Sequence, residues 1–202
     1  LTRSPPFDPL SPGERAQILA APRPRVALPL YGTPKRHARL GAEARAVDRG
    51  DRPIYAVWEL TLKCDLACRH CGSRAGAARP DELALTEALD LVRQLAELGL
   101  KELTLIGGEV YLYEGWTDVV RETRRRGIQC SIVTGGRGFT LERAKAARAA
   151  GVQTVSFSVD GDEATHDRLR GVSGAYRAVL EAMGNAREVG LPLSVNTQIN
   201  RL

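Results

Sequence analysis

Gly99-Leu100-Lys101-Glu102-Leu103-Thr104-Leu105 decides how this chain is built, because its pattern recurs. Gly127-Ile128-Gln129-Cys130-Ser131-Ile132-Val133 repeats it, as do Gly151-Val152-Gln153-Thr154-Val155-Ser156-Phe157 and Gly190-Leu191-Pro192-Leu193-Ser194-Val195-Asn196. Each glycine closes a helical stretch, where a left-handed cap is open to it, and a strand begins just beyond. The helix before Gly99 is the clearest. Thr86 is placed to cap it, and Ala88, Leu91, Val92, Leu95 and Leu98 share one face at helical spacing. Strand, helix, glycine and strand with short connections predict consecutive right-handed βαβ units and a parallel sheet. Five strands are expected, at 54–61, 102–107, 128–134, 154–160 and 193–199, with four helices at 86–98, 116–126, 140–150 and 174–189. A parallel sheet is normally covered on both faces. The fifth strand ends as the chain does, and the chain opens on Leu1 rather than Met, so a fragment of a larger protein is expected.

The N-terminal quarter differs in character. Nine of the eleven prolines lie in residues 1–53, which excludes a mostly helical or central-strand segment. An irregular extension is expected there, with one short helix around Pro12 to Ala20, before a core domain over 54–202. A chain of 202 residues, 43% hydrophobic and 26% charged, is ordinary for one globular domain. No apolar stretch reaches membrane-spanning length and the first residues have no h-region, so neither anchor nor signal peptide is expected. Four cysteines, three of them crowded together, suit a reducing cytoplasm better than a disulfide scaffold. The net charge of +5 comes mostly from scattered arginines. Their one run, Arg124-Arg125-Arg126, falls in the last turn of an expected helix, where it complements the dipole. With no interleaved aromatics for base stacking, nucleic acid is not an expected partner.

The chemistry gathers at the carboxyl ends of the strands, where parallel β/α architectures bind ligands. Cys64, Cys68 and Cys71 form a C-x3-C-x2-C cluster after the first strand. Three thiolates can hold three corners of an iron–sulfur cluster and leave one iron open, whereas a closed electron-transfer cluster takes four cysteines. A structural zinc site, with His70 or a distant group as fourth ligand, is the competing reading. Cys130 alternates with apolar neighbours and reads as a core residue. Gly107-Gly108-Glu109 follows the second strand and Thr134-Gly135-Gly136 the third. Ser158 and Asp160-Gly161 close the fourth, and Asn196 sits late in the fifth.

On these residues the chain resembles the radical S-adenosylmethionine enzymes. Cys64-Asp65-Leu66-Ala67-Cys68-Arg69-His70-Cys71 looks like their cluster-binding loop, and Gly107-Gly108-Glu109 looks like the motif after their second strand. The resemblance covers about three quarters of the chain and implies an α/β fold: a parallel β/α partial barrel with five of its six units present. It implies a [4Fe-4S] cluster on Cys64, Cys68 and Cys71 whose fourth iron is chelated by the methionyl amino and carboxylate groups of S-adenosylmethionine. It implies reductive cleavage to a 5′-deoxyadenosyl radical, fed by a low-potential donor of flavodoxin or ferredoxin type. Glu109 would help bind the methionyl amino group, and Gly107 and Gly108 would let backbone approach the ligand. His70 would lie near the adenine.

Ser158-Val159-Asp160-Gly161 and His166-Asp167-Arg168-Leu169-Arg170-Gly171 resemble the strand-four region of the peptide-modifying subgroup, which often carries a C-terminal domain for further clusters. That similarity places Ser158 near the ribose or methionyl end, Arg170 on the methionyl carboxylate, and Asn196 near the ribose, with Thr134 also in the cosubstrate pocket. Each has a plainer reading: a loop histidine, a strand-to-loop turn, a buried strand serine, a surface helix arginine, a strand-end cap. Val110 stands where a proline commonly follows the glutamate, and Gly135 where an asparagine often follows the threonine. The competing functional classes are a non-catalytic zinc- or cluster-binding module and a truncated, inactive core.

Overall fold

The computed structural model describes residues 52–199. The short helix expected near Pro12 to Ala20, and the extension around it up to residue 51, lie outside the described residues. Five strands run β1 (Tyr55–Thr61), β2 (Glu102–Gly107), β3 (Gln129–Thr134), β4 (Thr154–Ser158) and β5 (Leu193–Asn196). They form one sheet in the order β1-β2-β3-β4-β5, every neighbouring pair parallel. This is the sequential βαβ arrangement that the repeated glycine–strand pattern predicts. All four spacer glycines, Gly99, Gly127, Gly151 and Gly190, have positive φ. Strands four and five stop earlier than expected, at Ser158 and Asn196, which leaves Asp160 and Gln198 on the loops above the sheet. Among the described residues no helix is long and apolar enough to cross a membrane.

Helices α1 (Leu85–Glu97), α2 (Trp116–Arg125), α3 (Leu141–Ala150), α4 (Glu163–Arg170) and α5 (Ala175–Glu188) connect the strands. Strand periodicity sorts the sheet into two unlike faces. One carries Leu103, Leu105, Cys130, Ile132, Val155 and Phe157, all fully or almost fully buried in the core with the helices. Phe139 meets Phe157 edge-to-face, centroids 5.7 Å apart. Cys130 is a core residue, and burial pushes its thiol up to about 12. The opposite face is lined by hydroxyls. Tyr55 donates to Thr104 at 3.1 Å, Thr104 and Ser131 are 2.9 Å apart, and Ser156 and Ser194 are 2.6 Å apart.

Two helices, not one, lie between β4 and β5. The unexpected α4 is eight residues long and polar, too short to show a periodic stripe. Its ends are set locally: Asp162 accepts from the Thr165 N–H at 2.8 Å, and Gly171 closes it with φ 71°. Asp167 on α4 then starts α5, accepting from the Gly174 and Tyr176 N–H groups at 2.6 and 2.8 Å. On α1 the cap is Ala84 rather than Thr86. Glu87 accepts from the Ala84 N–H at 2.8 Å, the return bond of a capping box, while alanine itself has no side-chain oxygen to cap with. Leu98 falls past the last turn and is 53% exposed, so it leaves the apolar face on which spacing placed it.

The tightest backbone contact joins β2 to the root of the loop after β1. Gly108 N–H donates to Thr61 O and Glu109 N–H to Lys63 O, both at 2.7 Å. A Cβ on Gly107 would lie 2.2 Å from Thr61 O, and one on Gly108 2.0 Å from Lys63 O. The glycine pair thus admits protein backbone, where the sequence alone suggested an approach to ligand. Gly108→Ala is expected to destabilise the chain by several kcal/mol, in the range for forced overpacking, about 1–3 kcal/mol or more. Gly184→Ala, within α5 and with nothing near its would-be Cβ, should stabilise by about 0.5–1 kcal/mol. Urea unfolding of both variants checks the contrast.

Candidate active site

The three cysteines, all half-buried, lie on the loop between β1 and α1. Its base is closed by Cys64 N–H to Gly76 O at 3.0 Å and Gly76 N–H to Leu62 O at 2.8 Å. Glu82 braces the root, accepting from Thr61 Oγ1, from Leu62 N–H at 2.7 Å and from Arg79 N–H at 3.0 Å. The middle is tied to the end of α4: Ala67 N–H donates to Arg170 O at 3.1 Å and Arg69 N–H to Leu169 O at 2.9 Å. Those are last-turn carbonyls that a helix leaves without internal partners. The missed helix is therefore the loop's second anchor. Gly171 fits this junction, since a Cβ there would meet Ala67 O at 2.2 Å.

The loop and four strand ends surround one cleft of about 520 Å³. Cys64, Cys68, Cys71, His70, Gly107, Gly108, Glu109, Thr134, Ser158, Arg170 and Asn196, the residues to which the resemblance gives a role, all line it. Among the described residues, the ligand atoms gathered within 4.8 Å of one another are those of Cys64, Asp65 and Glu109, not the three cysteines. A single tetrahedral zinc at about 2.3 Å from each sulfur would need the thiols closer than that. Cys71 Sγ accepts from Ala75 N–H at 3.3 Å, and Arg170 Nη1 lies 3.8 Å from Cys68 Sγ. Such donors favour thiolate and tune cluster potential. Burial, reinforced by Glu109 and Asp65, pushes the Cys64 thiol up to about 11. Burial also raises Cys68, against the opposing pull of Arg170.

Glu109 is 1% exposed. Its carboxylate accepts from Thr134 Oγ1 and from Gly135 N–H at 2.8 Å, while Thr134 Oγ1 accepts from Gly136 N–H at 2.9 Å. Burial, with the negative charge of Asp65 nearby, raises its carboxyl to about 7 against these hydrogen bonds. Gly135, a departure from the usual asparagine, has a packing reason. A Cβ there would meet Leu66 Cδ1 at 2.2 Å and Glu109 Oε1 at 3.0 Å. Val110, the other departure, is completely buried in the core. Tyr111 was not singled out by its sequence. Its hydroxyl accepts from Gly138 N–H at 3.0 Å and lies 3.3 Å from Asp65 Oδ2.

Across the cleft, Asp160 is 2% exposed. Arg170 Nη2 lies 2.7 Å and His70 Nε2 3.4 Å from its Oδ2. The arginine contact is close but off the line of a good hydrogen bond, since Oδ2 lacks an aligned donor. His166 Nδ1 accepts from the Asp160 N–H at 3.1 Å, and burial together with the charge of Arg170 lowers the pKa of that imidazole. Sequence placed Asp160 at the strand end and gave it no role. An acidic residue just past a strand, beside Ser158, was the available signal. His70 Nδ1 and Arg170 Nε are buried on this cleft without partners. A lining of thiols, carboxylates, an imidazole and a guanidinium fits a polar, charged ligand such as the methionyl end of S-adenosylmethionine beside a thiolate-held cluster.

Comparison with known proteins agrees with this arrangement. The Radical SAM superfamily profile matches residues 58–199. An AdoMet-dependent heme synthase of Nitratidesulfovibrio vulgaris is 32% identical over 147 residues, 72% of this chain and 40% of that protein. A PqqA peptide cyclase of Streptomyces rochei is 34% identical over 151 residues, 74% of this chain and 41% of that one. Streptococcus suis SuiB bound to S-adenosylmethionine has the same fold, with a TM-score of 0.67 at 18% identity over 80% of this chain and 37% of SuiB. The chain spans about two fifths of the length of the curated relatives it matches. With the profile matching most of its length, this chain belongs to the radical SAM superfamily.

Proposed function

We propose that this chain holds a [4Fe-4S] cluster on Cys64, Cys68 and Cys71, binds S-adenosylmethionine in the adjoining cleft, and performs radical chemistry on a peptide. The observation that carries the reading is the convergence of three half-buried thiols with Glu109 and four strand ends on one cavity. A [4Fe-4S] cluster on these three thiols would supply the electron for reductive cleavage of S-adenosylmethionine. The chain's own residues bind and orient. Thr134 and Gly135 use one lone pair on each oxygen of Glu109, and the remaining ones face the methionyl amino group. Arg170 would take the methionyl carboxylate, an anion that a guanidinium fork grips well, with Ser158 near the ribose or methionyl end. His70 would lie near the adenine and Asn196 near the ribose.

A peptide substrate is supported by relatives named PqqA peptide cyclase, 28–34% identical. The hydroxyl-lined face of the sheet offers donors and acceptors suited to an extended backbone. A second reading, a tetrapyrrole substrate, is favoured by relatives named heme synthase and Fe-coproporphyrin III synthase at similar identity. The electron donor is proposed to be an acidic protein of flavodoxin or ferredoxin type. Lys63, Arg69 and Arg74 stand exposed on the cysteine loop, where opposite charge speeds encounter.

Two measurements test this reading. After anaerobic reconstitution, Cys64→Ala, Cys68→Ala and Cys71→Ala are each expected to lose iron, sulfide and brown absorbance, while Cys130→Ala keeps them. Retention by Cys68→Ala with loss by Cys130→Ala would sink the assignment, and a colourless zinc-loaded protein would favour the structural module. Glu109→Gln should keep its iron and bind S-adenosylmethionine on the order of 10- to 100-fold more weakly by calorimetry, the worth of one charge-assisted contact.

A further inference from the structure

We propose that Asp160 is a positioning residue that fixes the guanidinium of Arg170 for the carboxylate of S-adenosylmethionine. The proposal rests on the function argued above. Asp160 joins three separate walls of the cleft. Its Oδ2 faces Arg170 Nη2 at the end of α4 and His70 Nε2 on the cysteine loop, at 2.7 and 3.4 Å. Its Oδ1 accepts from Gln198 N–H, beyond β5, at 3.0 Å. Its own backbone N–H is fixed by His166.

Charge makes this more than a brace. Arg170 is only 12% exposed in its side chain and lies near a cluster-ligand position, with Nη1 3.8 Å from Cys68 Sγ. Asp160, 1% exposed in its side chain, is the carboxylate that pairs with it among the described residues. An arginine without that counter-charge would be costly to keep buried and free to swing toward water or the thiolates. With Nη2 held by Asp160 and Nη1 toward Cys68, Nε remains buried and unpaired. The two Nη groups carry four N–H donors and these contacts engage one on each, so donors remain on the Arg170 guanidinium where it lines the cleft. The effect of Asp160 on the ligand therefore passes through Arg170 and depends on the ligand's carboxylate.

The test uses the full chain with its cluster reconstituted anaerobically, and two ligands: S-adenosylmethionine and its decarboxylated analogue. Binding of S-adenosylmethionine by the unmodified chain is measured first, and its failure there would overturn the functional reading itself. Asp160→Asn is expected to keep its iron, to weaken S-adenosylmethionine at least tenfold, and to change the decarboxylated analogue by less than twofold. In an Arg170→Gln background, adding Asp160→Asn should change neither ligand further, the non-additivity of residues acting as one unit. Equal weakening of both ligands by Asp160→Asn, or additive losses in the double variant, would overturn the positioning role while leaving the function intact. If Asp160→Asn alone does not fold, the double variant, which removes both buried charges together, is compared with Arg170→Gln alone. Equal affinities support the proposal, and unequal ones overturn it.

Discussion

The backbone seam between Gly107–Glu109 and Thr61–Lys63 is the constraint on which the rest of the site depends. Two 2.7 Å hydrogen bonds and the absence of two Cβ atoms bring the end of β2 against the root of the cysteine loop. Because Glu109 is the next residue, the same contact sets where its carboxylate lies relative to Cys64. The placement of Cys64 and of Glu109 is thus tied to one main-chain junction. Main-chain contacts suit that task because they have no rotamers to lose.

A second junction works at the far side of the loop. The last carbonyls of α4 receive Ala67 and Arg69, and the same turn carries Arg170 into the cleft. The loop is pinned at its root by strands and at its middle by a helix end. The cysteines sit between two fixed points, while their sulfurs stay half-exposed. Asp160 and its partners close the gap between α4, the loop and the segment after β5. Local order in the site therefore comes from several elements meeting and not from the loop's own propensity.

Much of this was legible in the sequence because periodicity and punctuation are local. Gly99, Gly127, Gly151 and Gly190 each marked a helix end and the strand after it, and the five strands follow from them. The cysteine spacing and Gly107-Gly108-Glu109 announced the cavity. What stayed hidden depends on contacts between distant segments. α4 has eight mostly polar residues and no apolar stripe, so its helix rests on Asp162 and Gly171 at its ends. Asp160 gains meaning only when Arg170, ten positions on, returns to meet it. The glycine pair was read toward a ligand because backbone packing against Thr61 and Lys63 has no sequence signature.

The hydroxyl-bearing face of the sheet has a consequence for solvent exchange. Tyr55, Thr104 and Ser131 hydrogen-bond in a row, and Ser156 and Ser194 pair with each other. A row of hydroxyls makes one bond fewer than it has members, so each row keeps one O–H and spare lone pairs for water or another polar group. Drying this face therefore carries a cost that a group able to donate and accept there offsets and an apolar group does not.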